Sequence, residues 1–154
     1  MTQGNAEQGA RRRSLGLLAR ATADELAAPL QANWPGLEAR DLKPAEMGLV
    51  MLRGRAGGDG AMFNLGEATV SRAVVELPTG ERGYGHRLGR DLAQARRIAV
   101  LDALWQREAD RPLVEARVLA PIAARLEAAA RKSAEETAAT RVDFFTLVRG
   151  EDAA

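Results

Sequence analysis

The 154-residue chain contains no cysteine, which excludes a disulfide scaffold, thiolate zinc ligation, a cysteine nucleophile and cysteine-held iron–sulfur clusters. It has a single histidine, His86, so a multi-histidine metal site is excluded and any triad-like nucleophile would depend on that one ring. It has no charge excess: 22 Lys and Arg against 21 Asp and Glu leave a formal net charge of +1. No global field therefore draws it toward nucleic acid or an anionic membrane, and neither is an expected partner. No stretch approaches the ~20 apolar residues of a membrane span, and the polar, basic N-terminus has no signal-peptide core. The cytoplasm is the expected location.

With 46% hydrophobic residues, a chain of this length can supply one sizeable core. The expected organisation is a single domain over residues 9–150, a loose polar tail at 1–8 and a short tail at 151–154. The expected fold class is α+β, an antiparallel meander packed with helices from both ends of the chain and finished by an extended arm or strand. Residues 9 to 33 read as a helical pair. Leu15, Leu18 and Ala19 recur at helical spacing, Thr22 with Glu25 makes a capping box, and Pro35-Gly36 ends the pattern.

Residues 37 to 43 suit an edge strand, and the apolar run Met47 to Leu52 suits a strand covered on both faces, either central in the sheet or at an interface. Gly57-Gly58-Asp59-Gly60 followed by Phe63 and Leu65 predicts a hairpin. Ala73, Val75 and Leu77 alternate, Pro78-Thr79-Gly80 supplies a turn, and another strand is expected around 81–88. Asp91, with Gln94 three residues on, caps a helix to about Glu108 whose apolar stripe includes Ala95, Ile98, Leu101 and Trp105. Pro112 suits a first helical turn, Pro121 interrupts what begins there, and a longer helix is expected over about 122–139 with Glu127–Arg131 and Lys132–Glu136 contacts. The adjacent Phe144 and Phe145 would point to opposite faces of a docked terminal strand.

Several residues admit both a chemical and a packing role. His86 could act as a general acid or base, or sit hydrogen-bonded to backbone. Gly83 and Gly85 clear one strand face for a helix, a ligand or another backbone. Gly89-Arg90-Asp91, where strand yields to helix, is a setting for anion binding or for an ordinary helix cap. Arg53 and Arg55 share side-chain parity beside the glycine turn at Gly58, so both could face a phosphate or could guard a sheet edge. The turn is not a P-loop, because Gly-Lys-Ser/Thr is absent and a strand follows. Asp102 lies on an apolar stripe and must find an arginine or a cap, and Asp143 beside Arg141 and the phenylalanines poses the same question. Asp102 points to a structural role, or to partner choice if it lies at a subunit seam, and Asp143 to assembly more than to catalysis; no catalytic residue or metal ligand set stands out.

Four pieces in order resemble the PhnG family: Met47-Gly48-Leu49-Val50, the glycine turn at 57–60, Leu88-Gly89-Arg90-Asp91 with Asp102-Ala103-Leu104, and Arg141-Val142-Asp143-Phe144-Phe145 with Val148-Arg149-Gly150. The resemblance implies a G subunit of the carbon–phosphorus lyase complex, a hetero-oligomer with H, I and J subunits. With H and I it implies an α-D-ribose 1-methylphosphonate 5-triphosphate synthase, in which methylphosphonate displaces adenine from C1 of the ATP ribose. Nucleosidase activity then belongs to the I subunit and radical cleavage to the iron–sulfur J subunit. No cofactor is expected on this chain, and MgATP enters as substrate of the complex. Arg53, Arg55, Gly58, Gly89, Arg90 and Asp91 are the candidates for phosphate or substrate contact, and Asp102, Arg141, Asp143, Phe144, Phe145 and Arg149 for assembly. Two other readings remain: a purely structural subunit of the same complex, and a free-standing nucleotide-binding enzyme, disfavoured by the missing phosphate loop.

Overall fold

A computed structural model describes residues 2–57 and 59–139. Two helices come first, α1 (Thr2–Leu18) and α2 (Ala23–Asn33). Three strands follow, β1 (Arg40–Arg55), β2 (Met62–Glu76) and β3 (Arg82–Leu88), and then α3 (Leu92–Gln106). A short α4 (Arg111–Val114) runs through a π-helical turn (Glu115–Leu119) into α5 (Ala120–Ala139). The architecture is α+β, with an antiparallel sheet in the order β1-β2-β3. The chain divides into two compact units, residues 1–123 and 124–154. In the second, the described part is helical and carries a Lys132–Glu136 ion pair of 3.9 Å.

Local chemistry sets the turns. Thr22 accepts from the Glu25 amide while the Glu25 carboxylate accepts from the Thr22 amide, so the expected capping box starts α2. Asp91 accepts from the Gln94 amide at 2.9 Å and starts α3. Between β1 and β2 the Gly60 amide donates back to the Ala56 carbonyl, and a Cβ at Gly60 would sit 2.3 Å from that oxygen. Gly is required there.

The core forms where α3 lies across β2 and β3. Ala73, Val75 and Leu77 alternate inward, and Ile98, Leu101, Leu104 and Trp105 meet them from the helix. Gly83 and Gly85 make this approach possible. A Cβ on either would fall within 2 Å of a backbone oxygen of α3, 1.8 Å from Ala99 and 1.9 Å from Ala95. Of the three possibilities left open for these glycines, a helix occupies the space.

Four expectations need correction. First, α1 reaches back to Thr2, through the segment read as a loose tail; once nucleated, a helix propagates at one bond per residue, and Glu7 is tied to Arg111 at 3.0 Å. Second, the two strands expected at 37–43 and 47–52 are one, carried past Pro44 by register shifts between Asp41 and Glu46. Third, that strand is at the sheet edge and not central, and its apolar run is not covered on both faces within the described residues. Fourth, Pro121 does not end the helical path: the wider π turn just before it accommodates a residue with no amide to give. The expected terminal arm, with Arg141, Asp143, Phe144, Phe145 and Arg149, lies outside the described residues, as does Gly58.

Candidate subunit interface

The β1–β2 hairpin is longer than the layer that supports it. Since β3 pairs with β2 only from Val70 to Glu76, and α3 begins just after β3, the pairing from Leu49–Thr69 out to Arg55–Met62 projects beyond both. Side chains alternate across a strand, so Met47, Leu49 and Met51 share the α3 side of the sheet while Val50 and Leu52 face the other way. Both sets are exposed, Leu49 at 62% and Met47 at 55%. On β2, Met62 and Phe63 are exposed too, and so is Leu65 at 62%. Leu65 is the extra residue of a bulge where pairing slips from Leu52–Gly66 to Arg53–Asn64, and it lies over Gly54. Exposed apolar side chains gathered on one hairpin make it the candidate place for another molecule to sit.

The base of the same sheet is tied down by charge. Asp102 is fully buried, and the Arg11 guanidinium donates to both its oxygens at 3.0 and 2.7 Å. The Tyr84 amide, on the outer edge of β3, donates to the same carboxylate at 2.9 Å. The hydrogen bond from Arg11 to Asp102 raises the arginine's pKa against the opposing effect of burial. Gln106 donates to the Arg82 carbonyl on that edge at 2.7 Å. Asp102 thus finds the arginine its burial demanded, and covers a strand edge as well. Further out, Glu46 bridges Lys43 and Arg72, and Glu76 bridges Arg40 and Arg82. Hydrogen bonds from these cations, from Lys43 first and from Arg82 first, hold both carboxyls below the usual glutamate range.

The sequence-derived contact candidates separate into two places. Arg53 and Arg55 pair with Asn64 and Met62 toward the hairpin tip. Gly89 is fixed beside Thr69, five residues back along β2, roughly 16 Å away at the strand rise. The Gly89 amide donates to the Thr69 carbonyl, its own carbonyl accepts from Ser71, and Asp91 caps α3. Of the groups once open to an anion there, only the exposed Arg90 side chain is left uncommitted by these bonds. His86 is exposed on the sheet face away from α3, beside Tyr84. Among the described residues no three His, Asp or Glu side chains converge to hold a metal ion, and no helix is long and apolar enough to cross a membrane.

Sequence reasoning missed Met62 and the partners of Asp102. Met62 carried a legible signal: Met62, Phe63 and Leu65 place apolar side chains at both parities immediately after a glycine turn. Arg11 carried none, standing 91 residues from the carboxylate it meets.

A comparison with protein families matches residues 9–150 to the family described as phosphonate metabolism protein PhnG. The chain is also 54% identical, over 98% of its length and 96% of the relative's, to a protein of Rhizobium meliloti (strain 1021). That relative is the α-D-ribose 1-methylphosphonate 5-triphosphate synthase subunit PhnG. The family match and the near-complete overlap agree with the motif order read from Met47 onward: this chain belongs to the PhnG family.

Proposed function

We propose that the chain is a subunit of an α-D-ribose 1-methylphosphonate 5-triphosphate synthase, and that the projecting hairpin is the element by which it enters that complex. The observation that carries this reading is the apolar surface at Met47–Leu52 and Met62–Leu65, on a chain that shares 54% identity with a synthase subunit over almost its whole length. In the proposed reaction, methylphosphonate displaces adenine from C1 of the ribose of MgATP, with H and I subunits present and J joining the larger assembly. The chain binds no cofactor of its own. Arg53 and Arg55 at the tip, and Arg90 near the start of α3, are the groups through which it would touch a phosphonate or triphosphate.

A second reading, in which the subunit lends no group to the active site, is favoured by one observation: the Gly89 amide and the Asp91 carboxylate are committed to internal hydrogen bonds. Phosphorus NMR of MgATP and methylphosphonate with the H and I subunits, with and without this chain, tests the synthase assignment. Product only in its presence supports it, and equal product in its absence removes it. Arg53→Ala, Arg55→Ala and Arg90→Ala in an intact complex then divide the two readings, since unchanged turnover in all three leaves assembly alone.

A further inference from the structure

The two outer edges of the three-stranded sheet are treated differently. On β3 the outward-pointing backbone groups are those of Arg82, Tyr84, His86 and Leu88, and side chains from α1 and α3 bond to the first two. Because backbone direction alternates along a strand, β3 fixes the direction of every group across the sheet. Tyr84 points out, so its neighbours Gly83 and Gly85 point in toward β2. Their partners Val75 and Ala73, together with Ser71 and Thr69, then point toward β3, as the bond from the Gly89 amide to the Thr69 carbonyl requires. Across β2, the residues paired with Ser71, Thr69 and Glu67 therefore direct their N–H and C=O away from the sheet. These are Met47, Leu49 and Met51.

Among the described residues, the outer edge of β1 from Met47 to Met51 is thus a row of unpaired backbone groups borne by residues with uncharged, apolar side chains. Natural sheets blunt such edges with charges, prolines or covering side chains; β1 has these at its base, at Lys43 and Pro44, and at its tip, at Arg53 and Arg55, but not from Met47 to Leu52. We propose that this edge pairs with an extended strand of a partner subunit, which continues the sheet as a fourth strand. The inference rests on the reading of the chain as a complex subunit and identifies how its interface is built.

Charge decides between a partner and a second copy. The base of β1 is internally neutralised, with Lys43 on Glu46 and Asp41 on Arg96. Among the described residues, Arg53 at the tip has no ion pair and Arg55 hydrogen-bonds the Gly60 carbonyl alone. Two copies paired antiparallel about Leu49 would bring Arg53 and Arg55 of one to the Lys43 end of the other, where Glu46 already serves two cations. Like charges would meet. The fitting occupant is a partner strand with alternate apolar side chains and acidic residues at the end that reaches the tip.

Amide exchange in the assembled complex tests this at residue resolution. The amides of Met47, Leu49 and Met51 should exchange at least about 100-fold slower than their intrinsic rates, like the β2-directed amides between them. Exchange near the intrinsic rate at all three overturns strand addition. So does protection that is already present in the chain alone together with a dimer in sedimentation, which would make the occupant a second copy. A pair of variants gives a second measure. Leu49→Pro removes an outward N–H and leaves the β2 ladder intact, whereas Leu49→Ala trims the side chain and keeps the amide. Strand addition predicts that the proline variant weakens assembly at least about tenfold more than the alanine variant. Equal weakening by the two overturns strand addition and leaves side-chain docking of the hairpin standing; no weakening by either, with Met47→Ser also silent, removes the hairpin from the interface altogether.

Discussion

The base and the tip of the β1–β2 hairpin are built from the same two strands and obey opposite rules. At the base, β2 is sealed by α3 on one face, the glycines of β3 admit the helix backbone, and charged side chains are paired. At the tip, large apolar side chains stand in water on both faces and the arginines lack acidic partners among the described residues. Buried and paired contacts are therefore concentrated at one end, and exposed apolar surface at the other. Proteins draw their binding elements from regions with few buried contacts, and here the division falls within single strands at about Gly48 and Val70.

The largest expected effect would break the base. Changing Gly83→Ala and Gly85→Ala together forces two methyl groups into backbone atoms of α3, so the helix must lift. Two such overpackings cost together about 4 kcal/mol or more. Denaturant unfolding measures this, and a loss under 1 kcal/mol would mean that α3 does not lie as close as described. Next comes the buried pair. Arg11→Ala leaves the Asp102 charge buried without its guanidinium and should cost about 3 kcal/mol, at the low end for a buried pair because water reaches the Arg11 side. Asp102→Asn keeps an acceptor for the Tyr84 amide and removes the buried charge, so it should cost less than Arg11→Ala. The reverse order would sink this account of the clamp.

The third test sharpens the contrast. Leu49→Ser with Leu65→Ser at the tip should change the stability of the isolated chain by no more than about 0.5 kcal/mol each, yet abolish co-purification with partner subunits. A large stability loss with normal assembly would reverse the division proposed for the hairpin. The smallest effect is acid sensitivity at the base. Because Glu46 and Glu76 have lowered pKa values when folded, their contribution is complete above the ordinary value of about 4.5 and is lost as pH falls below it. Melting temperature followed from pH 6 down to 3, an interval of roughly three units chosen around the carboxylate range, should fall less steeply in Glu46→Gln with Glu76→Gln. The difference should be modest because solvent screens both groups.

Much of this was legible because the signals were short-range. The Thr22–Glu25 box, the Asp91 cap, the glycine turn and the alternation through Leu77 all depend on residues within a few positions of one another. Gly83 and Gly85 also announced a close approach, though not which element would make it. What could not be read depended on topology. A run such as Met47–Leu52 looks the same in a buried central strand and in an edge strand awaiting a partner, since periodicity reports apolar faces and not what covers them. The gap between the strands expected at 37–43 and 47–52, and the break expected at Pro121, were each absorbed by an irregularity, a register shift and a π turn, which no propensity encodes. At the site, the need of Asp102 for an arginine or a cap was evident from its place on the apolar stripe of α3. That the cation would be Arg11, and that the same carboxylate would cap β3, followed only from the packing of α1 and α3.

The open β1 edge also has a cost for the cell that makes the chain. A chain made in excess of its partners presents the Met47–Met51 backbone, flanked by methionine and leucine, to every other extended polypeptide it meets. Its tolerable free concentration is bounded by aggregation and clearance, however stable its base. With a partner strand as its cover, the chain's synthesis would have to keep step with that of the partner.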